Sequence, residues 1–220
     1  MAAKPRKLAR PPVLTVLAGV NGAGKSSVGG TALRACGAEY FNPDEYARQL
    51  RAQESLPREK ANAIAWAYGK GKLAEAIETG TDFTFESTLG GKTITDLLIH
   101  AVGQGHVLDI WFAGLESVDL HLARVARRVA EGGHPIPEVD IRKRWIGSHE
   151  NIIRLIPLLR TLRVFDNSRE VAAREEPAPV LLLSIEDGRL AYPGPEALAA
   201  TPGWAKPLVA AAYRHFGLMA

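Results

Sequence analysis

Gly19-Val20-Asn21-Gly22-Ala23-Gly24-Lys25-Ser26 fits the phosphate-binding loop pattern: a glycine, four residues, then Gly-Lys-Ser. The apolar run Val13-Leu14-Thr15-Val16-Leu17-Ala18 before it reads as a buried strand, and a helical stretch starts at Lys25. Glycines let successive backbone N–H groups turn inward around a phosphate chain, and a helix N-terminus adds a favourable positive end. In that setting Lys25 would reach the β- and γ-phosphates, and Ser26 would offer its hydroxyl to Mg²⁺. Gly19, Asn21, Gly22, Ala23, Gly24, Lys25, Ser26 and Ser27 are the candidate nucleotide contacts.

Outward from this loop, strand-like and helix-like stretches alternate, which argues for an α/β protein with a parallel sheet between helices. Strands are expected at 13–18, 39–41, 82–86, 107–113 and 163–166. Helices are expected near 25–35, 44–54, 57–79, 92–103, 117–131 and 138–161, with Pro157 bending or ending the last. The final fifth differs. A strand at 180–185, an Asp187-Gly188 turn and a strand at 189–192 read as a hairpin, followed by a terminal helix near 205–216. The expected organisation is a basic tail over 1–10, a core over 11–170 with a lid near 131–138, and an extension over 171–220.

The chain has 220 residues, of which 46% are hydrophobic, enough for one sizeable core. Its single cysteine, Cys36, cannot close an internal disulfide, so a reducing cytoplasm is expected. No apolar run approaches the ~18 residues that span a bilayer. The net charge of +3 suits an anionic substrate such as a nucleotide, but it is too slight to argue for nucleic acid. The six histidines show no metal-ligand spacing.

Three further segments carry candidate chemistry. In Asn42-Pro43-Asp44-Glu45, Asn42 is a good N-cap, Pro43 suits the first helical position and Glu45 completes a capping box. That leaves Asp44, a carboxylate at the ligand-binding edge of a parallel sheet, where it could accept the proton of a substrate hydroxyl. Phe83-Thr84-Phe85-Glu86-Ser87-Thr88 closes an apolar strand with three polar residues at the same edge. Glu86 could support Mg²⁺ or hold substrate, while Ser87 and Thr88 could bind substrate or cap the next helix. Finally, two basic helices flank Gly132-Gly133-His134-Pro135-Ile136-Pro137. Val118, Leu122, Val125 and Val129 form the inward face of the first, and Ile141, Trp145, Ile152 and Ile156 that of the second. Arg128 and Arg144 border those faces and could neutralise charge on a transferred phosphoryl group, with Arg124 and Arg142 next in order. Arg127 and Lys143 read as solvated charge.

The combination resembles the zeta-toxin family, in particular its small chromosomal zeta-like branch. It comprises the phosphate loop, Asn42-Pro43-Asp44, Phe85-Glu86-Ser87-Thr88, Arg124-Val-x-x-Arg128-Val-x-x-Gly-Gly-His-x-Ile-Pro and Arg142-x-Arg144-Trp145. The resemblance spans about residues 13–168. It implies a P-loop kinase fold and transfer of phosphate from ATP or GTP, with Mg²⁺, to the sugar 3′-hydroxyl of UDP-N-acetylglucosamine, countered by an antitoxin. It also implies that Asp44 is the base, that Glu86 and Thr88 contact substrate, that an arginine near 124 or 128 serves the lid, and that Asn167 lies near the nucleotide base. Other acceptors stay open at this stage: another sugar, a nucleoside, an antibiotic hydroxyl or a nucleic-acid end. A nucleotide-dependent switch is disfavoured, because the chain has no Asn-Lys-x-Asp guanine motif.

Overall fold

The structure, a computed structural model, describes residues 10–30, 40–169 and 179–218. The basic tail over 1–9, the second half of the expected first helix, Cys36, Glu39 and the connection over 170–178 lie outside the described residues. Six strands form one sheet: β1 (Val13–Ala18), β2 (Phe83–Ser87), β3 (Val107–Gly114), β4 (Thr161–Asp166), β5 (Val180–Glu186) and β6 (Arg189–Tyr192), in the order β2-β1-β3-β4-β5-β6. The first four are parallel; β5 pairs antiparallel with β4, and β6 with β5. The α/β architecture expected from the alternating pattern is present.

Helices α1 (Pro43–Glu54), α2 (Arg58–Thr79), α3 (Lys92–Gly103), α4 (Val118–Ala130), α5 (Glu138–Leu155) and α6 (Lys206–His215) pack around this sheet. Leu14, Val16, Leu108, Ile110, Phe112, Leu162 and Val164, from β1, β3 and β4, are buried with Leu73, Leu98, Ile152 and Leu155 from three helices. Strands covered by helices are apolar along their length rather than alternating, as Val13–Ala18 already suggested.

Four expectations are corrected. Of the strand expected at 39–41, the described residues Tyr40 and Phe41 form one parallel bridge, Phe41 to Phe85, so among the described residues the parallel part has four strands, not five. The hairpin restores the count by pairing onto β4, giving six in all. The helix expected from Lys25 is, as far as described, a single wide π turn over Ser26–Gly30. The helix expected over 138–161 ends at Leu155 and tightens to a 3₁₀ turn over Ile156–Leu158, because Pro157 has no N–H to continue the ladder. Thr161 already belongs to β4.

Candidate active site

The carboxyl ends of β1 and β2 carry the chemistry, as the open edge of a parallel sheet predicts. After β1 the chain turns sharply through Gly19 (φ 139°), Gly22 (φ 84°) and Gly24 (φ 77°), conformations that side-chain-bearing residues rarely adopt. A Cβ at Gly22 would also fall 2.9 Å from the His121 carbonyl oxygen. The loop is braced from three sides. His121 Nδ1 donates to the Asn21 carbonyl at 2.9 Å, Arg144 donates to Asn21 Oδ1 at 2.8 Å, and Asn167 Nδ2 donates to the Ala23 carbonyl at 2.9 Å. His121 is almost fully buried. Loss of solvation lowers its pKa to about 4, against the pull of the Asn21 carbonyl, so it is neutral and donates through Nδ1.

Lys25 folds back over the loop. Its Nζ donates to the Gly19 carbonyl at 2.8 Å and pairs with Glu86 Oε1 at 3.3 Å. Both side chains are nearly buried, 9% and 11% exposed. The other carboxylate oxygen of Glu86 accepts from Asn42 Nδ2 at 2.9 Å. Asn42 also caps α1, its Oδ1 accepting from the N–H groups of Asp44 (2.9 Å) and Glu45 (3.2 Å), with Pro43 at the first helical position. Asp44 is solvent-facing.

Two cavities meet here. The smaller, about 430 Å³, is lined by Gly22, Gly24, Ser26, Arg48, Arg124, Arg127, Arg128, Asn167 and Arg169 among others. The larger, about 570 Å³, runs between α2, the β2–α3 loop and α5, past Trp66, Lys70, Thr88, Ile94, His134, Lys143 and Arg144. Asn21, Lys25, Asn42, Asp44 and Glu86 line both. A cation-rich chamber around the glycine loop fits a polyphosphate, and Ser26 and Glu86 supply the oxygen donors that Mg²⁺ prefers. Among the described residues no cluster of three His, Cys, Asp or Glu side chains could hold a metal ion.

The structure brings together most of the residues picked out in the sequence and relocates some. Arg128 reaches the His134 carbonyl at 3.5 Å and Arg124 the Ser168 carbonyl at 3.2 Å. The loop over His134–Pro137, expected as a lid, lines the larger cavity and not the glycine-loop chamber. Burial lowers the pKa of His134, with the nearby Asp44 charge acting the other way. Ser87 and Thr88 do not cap α3, whose N-cap is Gly91; their hydroxyls accept from the N–H groups of Leu89 (3.1 Å) and Gly90 (3.3 Å) to hold the turn. Arg142 points away, into ion pairs with Glu138 and Asp119. Arg127 and Lys143, which sequence assigned to solvent, each line a cavity. Trp66, Lys70 and Arg48 also line these cavities, and no local motif marks them in the sequence.

No family model matches the chain. In three dimensions it is similar to a chain of the AvrRxo1-ORF1:-ORF2 complex crystallised with ATP, with a TM-score of 0.62 at 17% identity. That match covers 89% of this chain and 65% of that one. A chain of the PezAT chromosomal toxin–antitoxin system of Streptococcus pneumoniae aligns with a TM-score of 0.52 at 12% identity, covering 76% of this chain and 73% of that one. Both likenesses establish the fold, the P-loop α/β fold expected from the resemblance. By sequence, the chain is 32% identical over 131 residues to an uncharacterized protein of Haemophilus influenzae, a match covering 58% of this chain and 88% of that protein. At that identity and coverage, the chain belongs to the same family as the Haemophilus influenzae protein.

Proposed function

We propose that the protein is a P-loop kinase that moves the γ-phosphoryl group of ATP or GTP to a hydroxyl of a small anionic metabolite, with UDP-N-acetylglucosamine the first candidate. The observation that carries this reading is the wall shared by the two cavities. Asp44 stands on it, between a chamber fitted to phosphates and a second chamber large enough for a sugar nucleotide. A hydrolase or a switch needs the first chamber but not the second.

In this reading Lys25 and the N–H groups of residues 22–26 hold the phosphate chain, and Arg124, Arg127 and Arg128 face it from α4. Mg²⁺, held by Ser26 and supported by Glu86, would neutralise charge on the phosphate oxygens. The acceptor oxygen attacks the γ-phosphorus, the bond from that phosphorus to the bridging oxygen breaks, and Asp44 takes the acceptor proton. In the second chamber Trp66, 49% exposed, offers a flat face for a ring. Lys70 Nζ lies 5.1 Å from that ring's centroid, and Lys143 and Arg144 stand on α5. This lining suits an anionic acceptor better than a cationic antibiotic.

A coupled assay of ADP release across hydroxyl compounds tests the reading. Turnover is expected with UDP-N-acetylglucosamine or another anionic sugar or nucleoside derivative and not with aminoglycosides. Asp44→Asn should lower kcat by ~100-fold or more, the usual contribution of a positioned base, with the ATP KM unchanged. Silence across the panel, or wild-type turnover by Asp44→Asn, would refute it. The resemblance also suggests a cytoplasmic toxin with an antitoxin partner. Expression should then arrest bacterial growth and Lys25→Ala should relieve the arrest; unaffected growth removes the toxin role and leaves the kinase.

A further inference from the structure

We infer that Asn42 is a positioning residue that locks Glu86 and the Asp44 helix into one geometry, beyond its role as a helix cap. Its amide is engaged at both ends. Oδ1 accepts from two backbone N–H groups of α1, Asp44 at 2.9 Å and Glu45 at 3.2 Å, which fixes the orientation of the amide and turns Nδ2 toward Glu86 Oε2 at 2.9 Å. Glu86 in turn pairs with Lys25 at 3.3 Å. One side chain thus joins the glycine loop after β1, the end of β2 and the first turn of α1. Asn42 is itself buried and borders both cavities.

Chemistry explains why an amide is needed. Ser, Asp and Asn cap helices about equally well, because each offers one oxygen to the free N–H groups. Only Asn also presents two N–H donors. The bonds to Asp44 N and to Glu86 share one planar amide, so the first turn of α1 cannot shift without breaking the bond to Glu86. When Lys25 turns to a nucleotide phosphate, Nδ2 still holds Glu86, and with it the distance from the phosphate chamber to Asp44.

The inference rests on the kinase reading for its kinetic arm but not for its structural one. Two variants separate the roles. Asn42→Ser keeps a capping oxygen but is too short to reach Glu86. Asn42→Asp keeps the cap and sets a second carboxylate against Glu86. Both should fold and bind ATP with unchanged KM, while kcat falls about 10- to 100-fold, the effect of losing a charge-assisted hydrogen bond. Thermal unfolding gives a readout independent of turnover. Asn42→Asp, which keeps the cap but sets a like charge against Glu86, should lower Tm more than Asn42→Ser, which only loses the bond. If both variants turn over at wild-type rates and Asn42→Asp is no less stable than Asn42→Ser, Asn42 is a cap and no more. If the wild type transfers no phosphoryl group at all, the kinase reading falls, and the unfolding series alone decides whether Nδ2 holds Glu86.

Discussion

At the scale of single residues, the phosphate loop depends on a histidine that the motif does not contain. His121 sits one hundred residues from Asn21 in sequence, yet its neutral ring holds the Asn21 carbonyl. Its pKa falls from 6.5 in the unfolded chain to about 4 in the folded one, chiefly because burial disfavours the imidazolium. A depressed folded pKa means that the stabilisation is complete above pH 6.5 and is lost as pH falls toward 4. Between pH 7.5 and 5 this group alone should remove about 2 kcal/mol of unfolding free energy. His121→Gln, which keeps an N–H donor but does not titrate, should flatten that part of the profile in urea titrations at the two pH values. An unchanged slope would mean that other groups set the acid limb. Sequence marked none of this: a lone histidine on the inner face of a basic helix has no spacing signature, and its burial comes from packing across the sheet edge.

At the scale of elements, two walls of the second chamber meet in a close contact between two glycines. Gly147 on α5 lies against the carbonyl oxygen of Gly90, and a Cβ at Gly90 would come 2.7 Å from the Cα and Cβ of Arg144. Asn151, one turn further along α5, donates Nδ2 to the carbonyls of Leu89 (2.7 Å) and Gly91 (3.2 Å). The turn that follows Glu86 is therefore fastened to the same helix that carries Lys143 and Arg144. Gly147 is mid-helix, where propensity alone would make alanine better by about 1 kcal/mol. The structure reverses the sign, because the added methyl overlaps a backbone oxygen that cannot rotate away. Gly147→Ala should destabilise by about 2 kcal/mol in urea unfolding and raise the acceptor KM more than the ATP KM. Stabilisation by alanine would show that α5 and the loop are not in contact in solution. Element boundaries are legible where a local signal exists: 92–103 and 189–192 match the structure to the residue, while in 39–41, which carries strand composition, the described residues make a single bridge, Phe41 to Phe85. The sequence predicts an ordinary first helix, yet its described part winds wide, which no periodicity reports. The aromatic–lysine wall of Trp66 and Lys70 was illegible because it lies on a helix with a polar exterior and becomes a wall only through the partner placed opposite.

At the scale of the whole molecule, the sequence leaves open whether residues 180–220 decorate the main sheet or stand apart. The packing answers that. β5 pairs along β4 and buries Leu182, Leu183 and Ile185, while α6 adds Leu208, Val209, Ala212 and Tyr213 to the same core as β1 and β3. Trp204 lies directly over Gly114, the last residue of β3, and its indole N–H reaches Asp166 at 3.4 Å, at the end of β4. Tyr213 closes the unit by donating its hydroxyl to the Pro193 carbonyl at 2.7 Å. Asp166 leads directly into Asn167, which braces the phosphate loop, so the hairpin and α6 support the nucleotide chamber from behind. Without them β4 becomes an open edge over an uncovered apolar face, a combination that favours association between chains over folding. A chain ended at residue 178 should therefore lack a cooperative thermal transition and collect in the insoluble fraction. Trp204→Ala in the full chain should cost about 3–5 kcal/mol, the range for emptying a buried aromatic site, and should loosen nucleotide binding with it. A shortened chain that stays soluble, unfolds cooperatively and binds ATP with full affinity would make residues 179–218 an appendage, and the core would have to be redrawn to end at β4.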